Sequence, residues 1–155
     1  MSSMEVDENT NKIDEGLYSR QLYVLGREGQ AKMSASSVLV CGLNGVGCEV
    51  AKNVILAGVK AVTLFDPTPA TWYDVGGSPY VAPGHVGAAT RADACAKALA
   101  ELNPYVAVSV MGAGGNGSNA GDLHSGDAAE WAARVAGFSC VVHCDASSDA
   151  ELVAA

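Results

Sequence analysis

A glycine-rich turn with a downstream aspartate is the first part of this sequence that could do chemistry. The turn CGLNGVGCE lies between a strand-like and a helix-like run, and Asp66 follows Gly42 by 24 residues. In nucleotide-binding folds such glycines allow a tight turn, let the backbone approach phosphates and let helix touch strand, while the acid binds ribose hydroxyls. Gly42 and Gly47 hold the first and third glycine positions, whereas Asn44 occupies the second and Gly45 follows it.

Two interpretations of this turn stay open. In the first, these residues bind a dinucleotide or ATP. In the second, the glycines only pack a βα turn and Asp66 caps the end of a strand. The second is better supported, because a side chain at Asn44 would lean toward the phosphate channel.

The run LYSRQLYVLG is a second candidate for chemistry. If it is helical, Tyr18, Leu22 and Leu25 fall within one narrow arc, while Arg20 and Arg27 project from the other side. The helix could then dock by its apolar face and present a guanidinium by the opposite face.

The chemistry available to Arg20 is phosphate binding. A guanidinium is planar, permanently charged and shaped to pair with phosphate oxygens. The ordinary alternative is a surface ion pair with Asp14 or Glu15, worth under about 1 kcal/mol.

Hydrophobic periodicity predicts the elements that position these residues. Residues 36–42 form a short apolar strand, residues 44–58 have helical spacing with Gly58 as C-cap, and residues 59–66 form a second strand. A strand, helix and strand in succession make a βαβ unit. Its crossover implies parallel strands in a sheet that is covered on both faces.

The pattern is interrupted after the second strand and then resumes. Residues 67–87 hold four of the five prolines, so we expect a long irregular connection there. Thr90 and Asp93 predict a capped helix over 89–103, and a third strand follows at 105–111.

The last third of the chain continues the alternation. Residues 112–126 contain six glycines and few bulky side chains, which predicts a flexible insertion. Asp127 and Glu130 form a capping-box pattern for a short helix, and a fourth strand is expected at 138–145. The final ten residues begin another helix.

These elements predict a Rossmann-like parallel α/β sheet with an N-terminal helical extension. We expect a disordered tail at 1–13, the extension at 14–35 and βα units over 36–155. Because the sequence stops soon after a strand, we expect a truncated part of a longer protein. Its exposed sheet edge predicts poor solubility or self-association.

Composition limits the classes of partner. The 155 residues are 49% hydrophobic and 17% charged, which is typical of one folded soluble domain. A net charge of −8 and a pI near 4.6 argue against nucleic acid and anionic membranes as partners. The polar, acidic N-terminus is unlike a signal peptide or mitochondrial presequence, so the expected compartment is the cytoplasm and nucleus.

The cysteines and histidines predict no metal site and no disulfide framework. The five cysteines form an odd set without a CxxC pair. We expect Cys41 and Cys140 to be buried as small hydrophobes, and Cys48 to pack against the sheet. We expect His85 and His124 to be solvated in loops and His143 to be packed in a strand.

Three segments, LYSRQLYVLG, GLNGVGCEVAKNVILAGVKAVTLFD and ALAELNPYV, together resemble the N-terminal half of eukaryotic ubiquitin-activating enzymes, the E1 family. The resemblance is to their inactive adenylation domain, of the ThiF/MoeB/E1-type fold. It runs from about Ile13 to Asp145 and is looser after residue 110. Small subunits of SUMO- and NEDD8-activating enzymes usually have tryptophan at the position of Leu25, which favours the ubiquitin branch.

The resemblance implies a role that depends on a second fold. In that family two adenylation folds pair and only one has the complete ATP site; this segment resembles the other. Arg20 would cross the interface to ATP phosphates that the active half binds together with Mg²⁺, and no cofactor is expected on this segment alone. The thioester cysteine of the family lies in a separate downstream domain, so no cysteine here matches it.

The implied partners are the active half, ubiquitin or a ubiquitin-like protein, and a conjugating enzyme recruited by other domains. Two alternatives stay open. One is a non-catalytic small subunit of a SUMO- or NEDD8-type activating enzyme. The other is an NAD(P)-dependent oxidoreductase that uses Gly42, Gly47 and Asp66 directly.

Overall fold

The computed structural model describes residues 14–112 and 128–144. They form a parallel sheet of four strands in the order β3-β2-β1-β4. The strands are β1 Ser37–Cys41, β2 Ala61–Phe65, β3 Ala107–Val110 and β4 Cys140–His143. The helices are α1 Ser19–Ser34, α2 Gly45–Ala57, α3 Trp72–Gly77, α4 Arg91–Ala100 and α5 Ala128–Val135.

The predicted βαβ unit is confirmed by β1, α2 and β2. The two strands are parallel, and Val38 lies opposite Val62 in their register. Gly58 ends α2 in the left-handed region at φ 80° and donates its backbone N–H to Ile55. With β4 on the far side of β1, the strand order is that of a Rossmann-like sheet, as predicted.

Alternate residues of β1 face two different helical layers. Val38 and Val40 belong to the larger core, which includes apolar residues of α2 and α4. Leu39 and Cys41 lie on the other face of the sheet with Phe65, in a smaller core covered by Trp131 and Val135 of α5. The two faces are therefore both covered, which explains why the strand is apolar throughout.

The expectation of an irregular connection over 67–87 is wrong in part. This stretch contains α3 and a 3₁₀ turn at Pro83–His85. Thr71 and Asp74 form a capping box that starts α3, with the Thr71 N–H donating to Asp74 Oδ2 at 2.8 Å. The Thr-x-x-Asp spacing was the available signal, and the density of prolines and glycines concealed it.

The expectation of one continuous apolar arc along α1 is also wrong. Gly26 interrupts the helix with φ 72° and ψ 171°, a backbone conformation that favours glycine. Tyr18 is buried and Leu22 is half-buried, but Leu25 is 48% exposed. Before the break Tyr18 and Leu22 dock as the periodicity predicts. After it the docking residues are different, since buried Gln30 donates to the Ala57 carbonyl at 3.3 Å and Met33 packs against the larger core.

The other predicted elements are present with shorter bounds. α4 begins as expected, since the Asp93 N–H donates to Thr90 Oγ1 at 3.1 Å. Four predictions lie outside the described residues: the tail at 1–13, the insertion at 112–126 apart from Gly112, the Asp127 cap and the helix after 145. Within 14–112 and 128–144, no helix is both long and apolar enough to cross a bilayer.

Candidate functional site

The side chain of Asn44 occupies the N-terminus of α2. Asn44 is the N-cap, and its Oδ1 accepts the Gly47 N–H at 2.9 Å. Its Nδ2 donates to the Cys144 carbonyl at 2.9 Å, at the end of β4. The first N–H groups of a helix need an acceptor, which a phosphate supplies in nucleotide-binding loops. Here a side chain of the same chain supplies it.

The three glycines of the turn are required by backbone packing. Gly42 has φ 84°, which favours glycine. A Cβ at Gly47 would overlap the Gly42 carbonyl, and one at Gly45 would lie 2.7 Å from the Gly77 carbonyl oxygen at the end of α3. A carbonyl oxygen so near the turn places negative partial charge beside the N-terminus of α2.

The carboxylate of Asp66 is held by backbone amides. Its Oδ2 accepts the Leu43 N–H at 2.7 Å and its Oδ1 accepts the Thr68 N–H at 2.9 Å. Asp66 is 3% exposed, so both oxygens are used inside the protein. The arrangement fixes the turn to the end of β2.

Arg91 links the two buried carboxylates beside the turn. Its Nε lies 2.9 Å from Asp74 Oδ1, and its Nη1 lies 3.7 Å from Asp66 Oδ2. Burial alone would raise the pKa of Asp74, but hydrogen bonds from Thr71 and the charge and hydrogen bond of Arg91 outweigh it, so the pKa lies below its ordinary value. α3 is thus tied to the sheet by charge.

The lowered pKa of Asp74 predicts an acid-sensitive contact. The pKa of Asp74 is lower in the folded than in the unfolded chain, so the ionised carboxylate stabilises the folded state. This contribution is complete above the ordinary carboxyl pKa of about 3.9 and is lost as the pH falls through the lower folded value. We expect the free energy of unfolding, measured in urea, to fall more steeply below about pH 4 in the wild-type chain than in Asp74→Asn. Parallel pH profiles would contradict this.

Arg20 lies in the first turn of α1 with an exposed side chain. Across residues 14–112 and 128–144, this segment has two ion pairs, Arg27 with Glu15 at 2.7 Å and Lys32 with Glu28 at 2.8 Å. Asp14 accepts the backbone N–H groups of Gly16 and Leu17, each at 3.0 Å. The two carboxylates considered as surface partners of Arg20 therefore bond elsewhere in the structure.

Tyr18 anchors the segment that carries Arg20. The Tyr18 hydroxyl accepts a hydrogen bond from Asn103 Nδ2 at 2.9 Å, and the same nitrogen donates to the Ile55 carbonyl at 3.0 Å. The Tyr18 ring packs so closely on Gly58 that a Cβ there would lie 2.5 Å from the ring. The arginine two residues later is therefore held at a defined place on the sheet domain.

Gly58→Ala is predicted to destabilise the chain by about 3 kcal/mol. The substitution both strains a left-handed residue and displaces the Tyr18 ring. Gly87 is the matched control, because it has φ 71° but nothing within 4 Å of a Cβ. We expect Gly87→Ala to cost about 1 kcal/mol in urea denaturation, and equal losses for the two variants would contradict the ring contact.

The sequence profile of the ThiF family matches residues 18–144, which include the anchor, the glycine turn and all four described strands. The chain belongs to the ThiF family. That assignment agrees with the ThiF/MoeB/E1-type α/β fold predicted from sequence.

Within the ThiF family the chain is homologous to ubiquitin-activating enzymes. It is 50% identical over 111 residues to ubiquitin-activating enzyme E1 1 of Schizosaccharomyces pombe, covering 71% of this chain and 11% of that protein. It is 55% identical over 96 residues to human ubiquitin-like modifier-activating enzyme 1, covering 62% of this chain and 9% of that protein. The chain thus spans about a tenth of the length of these curated relatives.

A solved structure supports the ThiF fold at lower identity. The crystal structure of E. coli tRNA N6-threonylcarbamoyladenosine dehydratase, TcdA, superposes with a TM-score of 0.69 at 18% identity. The match covers 90% of this chain and 54% of TcdA. At this identity the similarity between this chain and TcdA is a similarity of fold.

Sequence reasoning about this ThiF-family chain missed several site residues. Arg91 and Asn103 had no local pattern that predicted their contacts. Cys140 was expected to be buried but is exposed, because β4 is an outer strand of the described sheet. His85 is half-buried, with Nδ1 accepting the Ala82 N–H at 3.1 Å. His143 is partly buried as a strand residue, and His124 lies outside the described residues.

Proposed function

We propose that this chain is the N-terminal part of a ubiquitin-activating enzyme E1. In this proposal it is the adenylation half without a complete ATP site, and it pairs with an active half that binds ATP and Mg²⁺. Arg20 crosses the interface to the ATP phosphates. The segment alone is inactive.

The observation that carries the proposal is the internal use of the Gly47 and Leu43 amides of the turn and of both carboxylate oxygens of Asp66. Asn44 accepts a hydrogen bond from the Gly47 N–H, and Asp66 accepts hydrogen bonds from the Leu43 and Thr68 N–H groups. Opening this turn to a phosphate would require breaking these hydrogen bonds first. A fold that keeps the turn but satisfies it internally supports a structural role beside a working site.

The exposure of Arg20 supports the second part of the proposal. The Tyr18 anchor fixes the backbone two residues away, so a projecting guanidinium reaches a partner surface from a defined position. In the reaction the ubiquitin C-terminal carboxylate attacks the α-phosphorus of ATP, an acyl-adenylate forms and pyrophosphate leaves. A guanidinium at the phosphates stabilises the negative charge that collects on the leaving group.

The remaining parts of the proposal follow from the homology. The partners are the active half of the same enzyme, ubiquitin or a ubiquitin-like protein, and a conjugating enzyme that binds other domains. Nucleic acid and membranes are not proposed as partners, given the net charge of −8. The proposed compartments are the cytoplasm and the nucleus.

The geometry favours this function over an NAD(P)-dependent oxidoreductase. Such an enzyme needs a free acid at the end of its second strand for the ribose. Asp66 occupies that position, but both of its oxygens accept backbone hydrogen bonds.

A two-part binding experiment tests the proposed function. In the first part, the 155-residue chain is titrated calorimetrically with ATP and Mg²⁺, and separately with NAD; we expect no saturable heat from either. In the second, residues 14–144 replace the corresponding segment of the S. pombe enzyme, and we expect ubiquitin-dependent ATP–pyrophosphate exchange to persist. The proposal would be overturned if the chain alone bound ATP stoichiometrically and the Asp66→Ala variant lost that binding.

A further inference from the structure

The fold brings two cysteines together that are far apart in sequence. Cys48 lies near the start of α2 and Cys95 lies in α4, 47 residues later, yet their Sγ atoms are 3.3 Å apart. Both side chains are fully buried, at 0% exposure. A disulfide bond is about 2.05 Å long, so a small approach of the two helices would bring the sulfurs to bonding distance.

The two thiols and the Leu43 carbonyl form one hydrogen-bonded series. Cys48 Sγ lies 3.4 Å from the Leu43 carbonyl, to which its S–H donates, and Cys95 can then donate to Cys48. The hydrogen bond from Cys95 lowers the pKa of Cys48, whereas the same hydrogen bond and burial raise the pKa of Cys95. Cys48 also lies in the first turn of a helix, which stabilises a thiolate. Its place in the first turn of α2 and its contact with the Cys95 thiol favour Cys48 as the nucleophile of the pair.

The other three cysteines differ from this pair in burial or pKa, so their oxidation can be compared with that of Cys48 and Cys95 in the same sample. Burial, with smaller contributions from Cys144 and Asp66, raises the pKa of Cys41 to about 12, so it is a poor nucleophile. Cys140 is exposed and Cys144 is partly buried. Exposure alone would therefore direct oxidation to Cys140.

We propose that Cys48 and Cys95 are a disulfide-forming site that hydrogen peroxide, a small two-electron oxidant, oxidises in the folded chain. The Cys48 thiolate attacks one peroxide oxygen, the O–O bond breaks and a sulfenic acid forms, while the departing hydroxide takes up the proton that the Cys48 thiol released and leaves as water. Cys95 sulfur then attacks Cys48 sulfur, the S–O bond breaks, and the Cys95 proton leaves with the oxygen as a second water. Two thiols lose two electrons in all, and one peroxide becomes two waters.

The bond would join α2 to α4 across the larger core. It would close a loop between positions 48 and 95, and closing a loop of this length restricts the unfolded chain. The oxidised protein is therefore expected to melt at higher temperature than the reduced one. A dithiol reductant would reverse the change.

The test uses the whole 155-residue chain without urea, treated with hydrogen peroxide and then alkylated with N-ethylmaleimide. Trypsin releases Cys48 in residues 33–52 and Cys95 in residues 92–97. We expect these two peptides to be linked, two hydrogens lighter than their sum, with fragmentation locating the bond at Cys48 rather than Cys41. The Tm should rise by about 5 °C and return on adding dithiothreitol.

Two variants separate this site from general thiol oxidation. Cys140→Ser should keep both the linked peptide and the Tm rise, whereas Cys48→Ala should lose both. The wild-type peptide map alone decides the matter if Cys48→Ala does not fold. Oxidation confined to Cys140 or Cys144, or a link from Cys41, would overturn the proposal.

Discussion

Replacing Arg20 with alanine should lower ubiquitin adenylate formation by about 100-fold in the S. pombe enzyme that carries residues 14–144 of this chain. The guanidinium is exposed, and its anchor at Tyr18 is buried, so the truncation removes the charge that the proposed function assigns to the ATP phosphates and leaves the fold intact. The loss should appear in the rate of pyrophosphate exchange at saturating ubiquitin. The thermal midpoint of the enzyme should not change.

Arg27→Ala is the matched control for that experiment. Arg27 is also an exposed arginine of α1, but it lies after the break at Gly26 and pairs with Glu15. A surface pair contributes under about 1 kcal/mol, so activity and stability should both stay close to wild type. Equal losses for the two arginines would show that net charge, rather than the position of Arg20, is responsible.

Replacing Gly47 with alanine should destabilise the isolated chain by more than about 3 kcal/mol. The added Cβ would overlap the Gly42 carbonyl, which belongs to the backbone between β1 and α2 and cannot rotate away. Its nearest carbon neighbour would be the Gly42 carbonyl carbon at 2.9 Å, so α2 would have to move off the sheet. Urea denaturation followed by circular dichroism measures the loss.

Gly76→Ala provides the comparison for Gly47→Ala. Gly76 lies inside α3, and a Cβ there would meet nothing within 4 Å. Alanine in a helix is favoured over glycine by about 0.5–1 kcal/mol, so this variant should be neutral or slightly stabilised. If Gly47→Ala matched it, the close contact of α2 with the turn would be disproved.

The parts of the fold that were predictable from sequence are those specified by neighbours along the chain. The apolar run of β1, the left-handed glycine that ends α2 and the Thr90 cap of α4 are each encoded within a few residues. Local periodicity specifies such elements because backbone hydrogen bonding and side-chain burial both recur with the residue period of a helix or a strand. The parallel sheet followed from the alternation of strands and helices.

The parts that sequence reasoning missed are contacts between distant segments. Tyr18 bonds to a residue 85 positions away, and Cys48 meets Cys95 at a separation of 47. No spacing along the chain signals such pairs, because they exist only once the sheet has ordered the helices around it. Asn44 was an intermediate case: its place in the turn was visible, but its bond to Cys144 was not.

The hydrogen bond from Asn44 to Cys144 lies at the topological switch point, where the strand order reverses between β1 and β4. Open α/β sheets bind their ligands in the crevice at this point. In this chain one side chain, Asn44, both bridges the crevice and caps the helix beside it. A crevice that is held closed by the chain's own hydrogen bonds can stay folded through sequence change whether or not a ligand binds there.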